Sequence, residues 1–149
     1  MATFQQHQAK AKKLNPTRLE KDLFKYIKSI EKELVDRNIH QIKEESKDIN
    51  DKPIGFYSYA TELITGGKKK KGDPFTGFDT GEWMDGFFLD IQGDAFRIFS
   101  TDPKTHEILD SEHWLSDDLF GLSDKDLKEV IRLRLLPFFI KNIKTILGI

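Results

Sequence analysis

Apolar residues stand at Leu19, Leu23, Ile27, Ile30 and Leu34, and then at Ile39 and Ile42. Apart from the step of five into Ile39, the spacings are three and four, which lays one stripe along one face of a helix. Lys21, Lys25, Lys28 and Lys32 occupy the opposite face. Asn15-Pro16 supplies the start: asparagine caps an N-terminus well, and proline suits the first helical position because its missing N–H is not needed there. The pattern runs to about Lys47, so a single helix here would be ~45 Å long at 1.5 Å per residue. A body of 149 residues rarely needs such a rod. The stripe therefore predicts a helix that spans the whole domain or is shared with a neighbour.

The remaining segments constrain what packs on it. Met1–Leu14 has no apolar periodicity and reads as a polar N-terminal arm, leaving residues 15–149 as one domain. Asn50-Asp51-Lys52-Pro53 breaks the helix, and Ile54–Thr61 reads as an extended segment or short strand. Gly66–Gly72 encloses four consecutive lysines between glycines, which is loop chemistry, and Asp73-Pro74 and Thr76-Gly77 continue it. Thr80 is placed to cap a short turn through Asp85. Phe87–Ile91 and Ala95–Ser100 form a hairpin across Gln92-Gly93-Asp94, with Phe87, Leu89 and Ile91 on one face and Phe96 and Ile98 sharing a face of the second strand. Asp102-Pro103 starts a short helix to about Ser111. Ser123 with Asp126 three residues on resembles a capping box, opening a final helix through Leu127, Ile131, Leu135 and Ile146 that Pro137 must kink or split. The expected class is α+β: long N-terminal and C-terminal helices packed on one face of a small antiparallel sheet, with long loops.

Composition removes several function classes. Twelve Phe and two Trp are too many for a disordered chain. Apolar runs such as Leu135–Ile140 fall far short of the ~20 residues of a membrane span. Cysteine is absent, so no disulfide, thiolate nucleophile or thiolate zinc site is available. The N-terminus lacks the apolar stretch of a signal peptide, so the expected place of synthesis is a cytoplasm. Net charge is −1, without the global basic excess of a nucleic-acid binder, but the charge is unevenly placed. Lys10, Lys12 and Lys13 form one basic cluster and Lys68, Lys69, Lys70 and Lys71 another, while Asp110–Asp118 is acidic. These are solvated loops and ends, or the complementary rims of neighbouring subunits.

No motif for catalysis assembles. Phe78-Asp79-Thr80-Gly81 resembles the aspartic protease triplet, whose chemistry needs two carboxylates sharing a proton. One chain supplies a single Asp79 and would have to dimerise, and Glu82-Trp83 follow where those enzymes carry small residues. Asp-Thr-Gly is also a sound turn and cap. His7, His40, His106 and His113 lack ligand spacing, and Glu112-His113-Trp114 lacks the second histidine of a zinc helix. No Gly-x-Ser-x-Gly occurs, and the Gly66–Gly72 loop lacks the ending of a phosphate-binding loop. Its lysines read as a mobile solvated tip, or as phosphate contacts of salt-sensitive affinity.

Three strings together carry a resemblance. Gly55-Phe56-Tyr57-Ser58 followed by Thr61, then Phe78-Asp79-Thr80-Gly81-Glu82-Trp83 followed by Phe87-Phe88, then Phe120-Gly121-Leu122-Ser123, stand in an order similar to that of tail-completion and head–tail joining neck proteins of tailed bacteriophages. Gly86 stands where that pattern carries serine. The resemblance covers about Asn15–Leu147. It implies a structural virion protein and no enzyme, metal or cofactor. It also implies a homo-oligomeric ring, six- or twelve-fold, between the connector or adaptor and the tail tube or terminator, with DNA passing through the lumen. A small interaction protein such as a toxin-immunity protein is the rival of another class, and a dimeric protease using Asp79 is the enzymatic one.

Overall fold

The computed structural model describes residues 3–77, 81–111 and 115–149. Asn15 caps as expected: its side-chain oxygen accepts the Thr17 N–H at 2.9 Å, and Pro16 opens helix α2, Pro16–Ser29. The single long helix is not found. The ladder breaks at Ile30 (φ −103°, ψ 20°), whose amide is shared between the carbonyls of Tyr26 and Ile27, both at 3.2 Å. Helix α3 then runs over Glu31–Lys43. The Ser29 hydroxyl donates back to the Tyr26 carbonyl, a bond that competes with the helical ladder. The buried face continues across the break: α3 buries Leu34, Val35, Asn38, Gln41 and Ile42. Ile39, the residue after the step of five, falls off this face and is only half-buried.

The sheet is the predicted hairpin, β1 (Phe87–Gln92) and β2 (Ala95–Ser100), antiparallel with Leu89 opposite Ile98 and Ile91 opposite Phe96. Gln92 pairs with Ala95, so the link is only Gly93-Asp94, and Gly93 takes the positive φ of 61° that such tight turns require. Helices α2 and α3 lie against β1. The free edge of β1 is covered by side chains, not by another strand. Glu31 accepts the Leu89 N–H at 2.7 Å, and the Lys28 ammonium donates to the Leu89 carbonyl and to Glu31. An edge left bare would be a template for pairing with other chains.

Ser123 caps α7 (Asp124–Val130) by accepting the Asp126 N–H at 3.3 Å. The α-helical ladder is interrupted next to Pro137, as expected, without the helix ending there. A π turn over Ile131–Leu135, in which the Leu136 N–H reaches the Ile131 carbonyl, precedes it, and α8 continues over Leu136–Leu147. Proline clashes with the carbonyl four residues back and offers it no donor, and widening the preceding turn relieves both problems. The C-terminal helix was expected on the sheet; its principal neighbours are α2 and α1 instead. Tyr26 stacks on Phe138 with ring centroids 4.2 Å apart, Asn142 donates to Asp22, and Arg134 pairs with Glu33 at 3.0 Å.

Two further expectations change. The polar arm contains helix α1, Phe4–Ala11, closed by a capping box between Thr3 and Gln6 and lying against α8. Thr3-x-x-Gln6 was the signal for it. The segment read as extended or a short strand is non-helical as far as Ser58, with a single bridge from Phe56 to Pro74, and then turns into α4 (Tyr59–Ile64), where the Ser58 hydroxyl accepts the Thr61 N–H; together they form a small lobe. The remaining elements are α5 (Glu82–Asp85), after Gly81, and α6 (Thr105–Ser111). The core runs from Leu34 and Ile42 through Leu89 and Ile98 to Leu119 and Val130. It is flanked by an aromatic cluster in which Trp83, Phe87 and Phe99 contact Phe120 or one another at 4.7–5.9 Å.

Candidate interaction surfaces

The strings that carry the family resemblance do structural work where the structure describes them. Phe120-Gly121-Leu122-Ser123 is held by two buried amides one turn apart on α3. Asn38 donates to the Leu119 carbonyl at 2.9 Å and accepts the Gly121 N–H at 3.1 Å, and Gln41 accepts the Ser123 N–H at 3.0 Å. Gly121 has φ 126°, a conformation side chains rarely tolerate. Gly55-Phe56-Tyr57-Ser58 builds the base of the lobe: the Tyr57 hydroxyl accepts the Thr76 N–H at 3.0 Å. Gly86 sits where there is no room for a side chain. A Cβ there would lie 2.9 Å from Ser100 Oγ, and that hydroxyl already donates to the Trp83 carbonyl.

The two lysine clusters belong to different parts of the molecule. Lys10 is on α1, with its ammonium beside the Gly148 turn that ends α8, where the carbonyl end of a helix favours a cation. Lys12 and Lys13 follow α1 and are exposed. Lys68, Lys70 and Lys71 are exposed in the lobe, while the Lys69 ammonium lies 5.2 Å from the centre of the Tyr57 ring. The backbone of the loop is hydrogen-bonded into the lobe. The amides of Lys69, Lys70 and Lys71 donate to Thr65 Oγ1, Asp73 Oδ2 and Glu62 Oε2, and the Gly72 amide donates to the Tyr57 carbonyl. A run of lysines without an apolar anchor hides this, because its order comes from acceptors elsewhere in the lobe.

Exposed apolar side chains concentrate in two places to which sequence periodicity assigns no face. On the lobe, Phe56, Tyr59, Leu63 and Ile64 are exposed, Ile64 by 85%. On the C-terminal helix, Leu133, Leu136 and Ile140 are exposed, the last two by 50% and 45%, and no residue of α8 is buried. Arg132, Lys141 and Lys144 border that second patch. Opposite in character is a cleft of about 490 Å³ between α2, β2 and the start of the C-terminal helix, with Phe24, Phe96, Leu122, Leu127, Ile131 and Leu135 in its wall. Asp94 stands at its rim, and Ile49, also in the wall, is tied through its N–H to the Asp118 carbonyl.

Asp79, Thr80, Phe78 and the Glu112-His113-Trp114 string lie outside the described residues. His40 faces Glu45 at 3.7 Å, and among the described residues no cluster of His, Asp or Glu is arranged to hold a metal. Among them, too, no helix is long and apolar enough to cross a membrane. No family model matches this chain, and neither does any curated protein or solved structure.

Proposed function

We propose that this chain is a non-catalytic assembly subunit, a head–tail joining or tail-completion protein of the phage neck, working as a homo-oligomeric ring between connector and tail. The observation that carries the reading is α8. Its sequence LPFFIKNIKTIL is mostly apolar, yet none of its residues is buried. Contiguous exposed apolar surface of this kind marks an interaction site, and side chains left about half exposed forgo roughly half of the 1.5–3 kcal/mol that full burial of each would bring. The basic border of Arg132, Lys141 and Lys144, which have no ion-pair partner among the described residues, suits an acidic rim on the neighbour that covers it. A head-to-tail interface that closes by rotation generates a ring, and the order of the three strings is the order found in neck proteins.

Reconstitution tests this. The purified subunit is added to capsids that carry the connector but lack a tail, and the neck is imaged. A closed ring of six or twelve copies per particle, followed by tail attachment, is the expected result. Particles that complete their tails normally without the protein would end the reading.

A further inference from the structure

We propose that the lobe of one copy seats in the apolar cleft of the next, with Leu63 and Ile64 entering the cleft and Lys68, Lys70 and Lys71 facing Asp94, Asp117 and Asp118. The proposal rests on the ring reading above and names the contact that would propagate it.

Shape comes first. The lobe is a small projecting unit closed at its base by a short ladder, in which Tyr57 N–H donates to the Asp73 carbonyl, Gly72 N–H to the Tyr57 carbonyl, and Phe75 N–H to the Gly55 carbonyl, at 2.9–3.0 Å. Buried Ile54, Tyr57 and Phe75 root it in the core. Its outer surface, by contrast, puts Leu63 and Ile64 into water. The cleft is the concave counterpart on the same chain. At about 490 Å³ it falls inside the roughly 300–1,000 Å³ range of clefts that take a ligand, and its wall is mainly aromatic and aliphatic. A knob and a socket at different places on one chain make a heterologous contact, the kind that repeats around a ring.

Charge gives the second, independent match. Lys68, Lys70 and Lys71 have no ion-pair partner among the described residues, and neither do Asp94, Asp117 and Asp118, all six being exposed. Asp94 is at the rim of the cleft. Asp118, preceded by Asp117, adjoins its Ile49 end through the Ile49 N–H to Asp118 carbonyl bond, and Asn50 Nδ2 donates to Asp118 Oδ2. Arg97, the cation in the wall, lies over the Phe99 ring. A second copy therefore brings three cations without ion-pair partners to a socket with Asp94 at its rim and Asp117 and Asp118 beside one end. Complementary potentials of this sort fix register and speed encounter. A second lobe is a poorer partner for the first, because its four lysines outnumber Glu62 and Asp73, whose carboxylates already accept backbone amides of the loop.

The absence of native cysteine allows a clean test. Ile64→Cys and Ala95→Cys are both at exposed positions, one at the knob and one at the socket, so neither should disturb folding. Under oxidising conditions a mixture of the two single variants should give mixed disulfide dimers and stop there. The double variant should give a ladder ending in one closed species. Lys68→Glu, Lys70→Glu and Lys71→Glu together should cut the mixed-dimer yield by about tenfold, and Asp94→Lys, Asp117→Lys and Asp118→Lys in the other partner should restore it. Mixed dimers no more abundant than those of Ile64→Cys with itself would overturn the docking, as would a charge swap without effect, the result expected if the lysines serve DNA or a different protein. The two readings fail separately. Mixed dimers whose ladder never closes would leave the contact standing and remove the ring. Neck rings on particles whose subunits do not cross-link at these positions would keep the ring and remove the contact.

Discussion

The hairpin and α8 each hold seven large apolar residues in twelve positions, and the fold treats them in opposite ways. The hairpin buries Phe87, Leu89 and Ile98 beneath α2 and α3, and helix side chains cover its free edge. Helix α8 leans one side on Tyr26 and Asp22 of α2 and leaves Leu136 and Ile140 in water. Hydrophobicity alone thus says that a segment wants cover. It does not say whether the chain itself supplies that cover.

The comparison is tested most severely at Leu89, which is 1% exposed at the centre of β1. Leu89→Ala should cost about 2–5 kcal/mol, the lost transfer energy plus the cavity left in a packed site. Denaturant unfolding measures it directly. A cost below about 1 kcal/mol would mean that the hairpin is no better anchored than α8, and the contrast would collapse.

A smaller effect sits at the edge of the same strand. The hydrogen bond from Lys28 holds the Glu31 carboxyl below its ordinary value of 4.5; the Leu89 N–H and the charge of Lys28 add to it, while burial opposes. Because the folded value is the lower one, the contribution is present in full above the ordinary value. It is lost as pH falls through the folded value. Lys28 is half exposed, so solvent screening limits the gain to about 1 kcal/mol or less. Stability measured downward from pH 5 should therefore fall less steeply in Glu31→Gln than in the parent. Parallel pH profiles would show that the pair does not hold the strand edge.

Much of this architecture was legible in the chain. Asn15-Pro16, Ser123 with Asp126, and the alternation of Phe87, Leu89 and Ile91 all act locally, and each produced the element it predicts. What was missed depends on partners distant in sequence. Asn38 and Gln41 look like polar interruptions of an apolar stripe, and only the fold brings them to the backbone of Leu119–Ser123, more than eighty residues on. The lobe was half legible: Ile54–Ser58 is non-helical with one bridge, as its composition suggests, but its partners are Asp73 and Phe75, and from Tyr59 the chain enters a helix that the composition does not signal. Of the candidate surfaces, the lysine clusters were visible as charge. The apolar patches were not, because the stripe read from Leu127 to Ile146 leaves Leu136 and Ile140 off it, and spacing alone does not say what a second apolar face meets.

The smallest expected effect on folding is also the one that bears most on function. Leu136→Ser and Ile140→Ser replace large apolar side chains that are about half exposed, in a helix held on its other side by Phe138 and Asn142. Serine is only slightly worse than leucine or isoleucine in a helix, and neither change opens a cavity in a packed core. Each should shift the stability of the isolated subunit by about 0.5 kcal/mol or less, within the error of most unfolding curves. The same pair should sharply reduce incorporation into connector-bearing capsids, since the cover that α8 lacks within the chain must come from a neighbour. Unfolding and incorporation measured on one preparation separate the two cases. A double variant that loses about 2 kcal/mol would place these side chains in the subunit's own core. One that keeps both stability and incorporation would show that α8 meets no partner, and the contrast with the hairpin would then have no functional meaning.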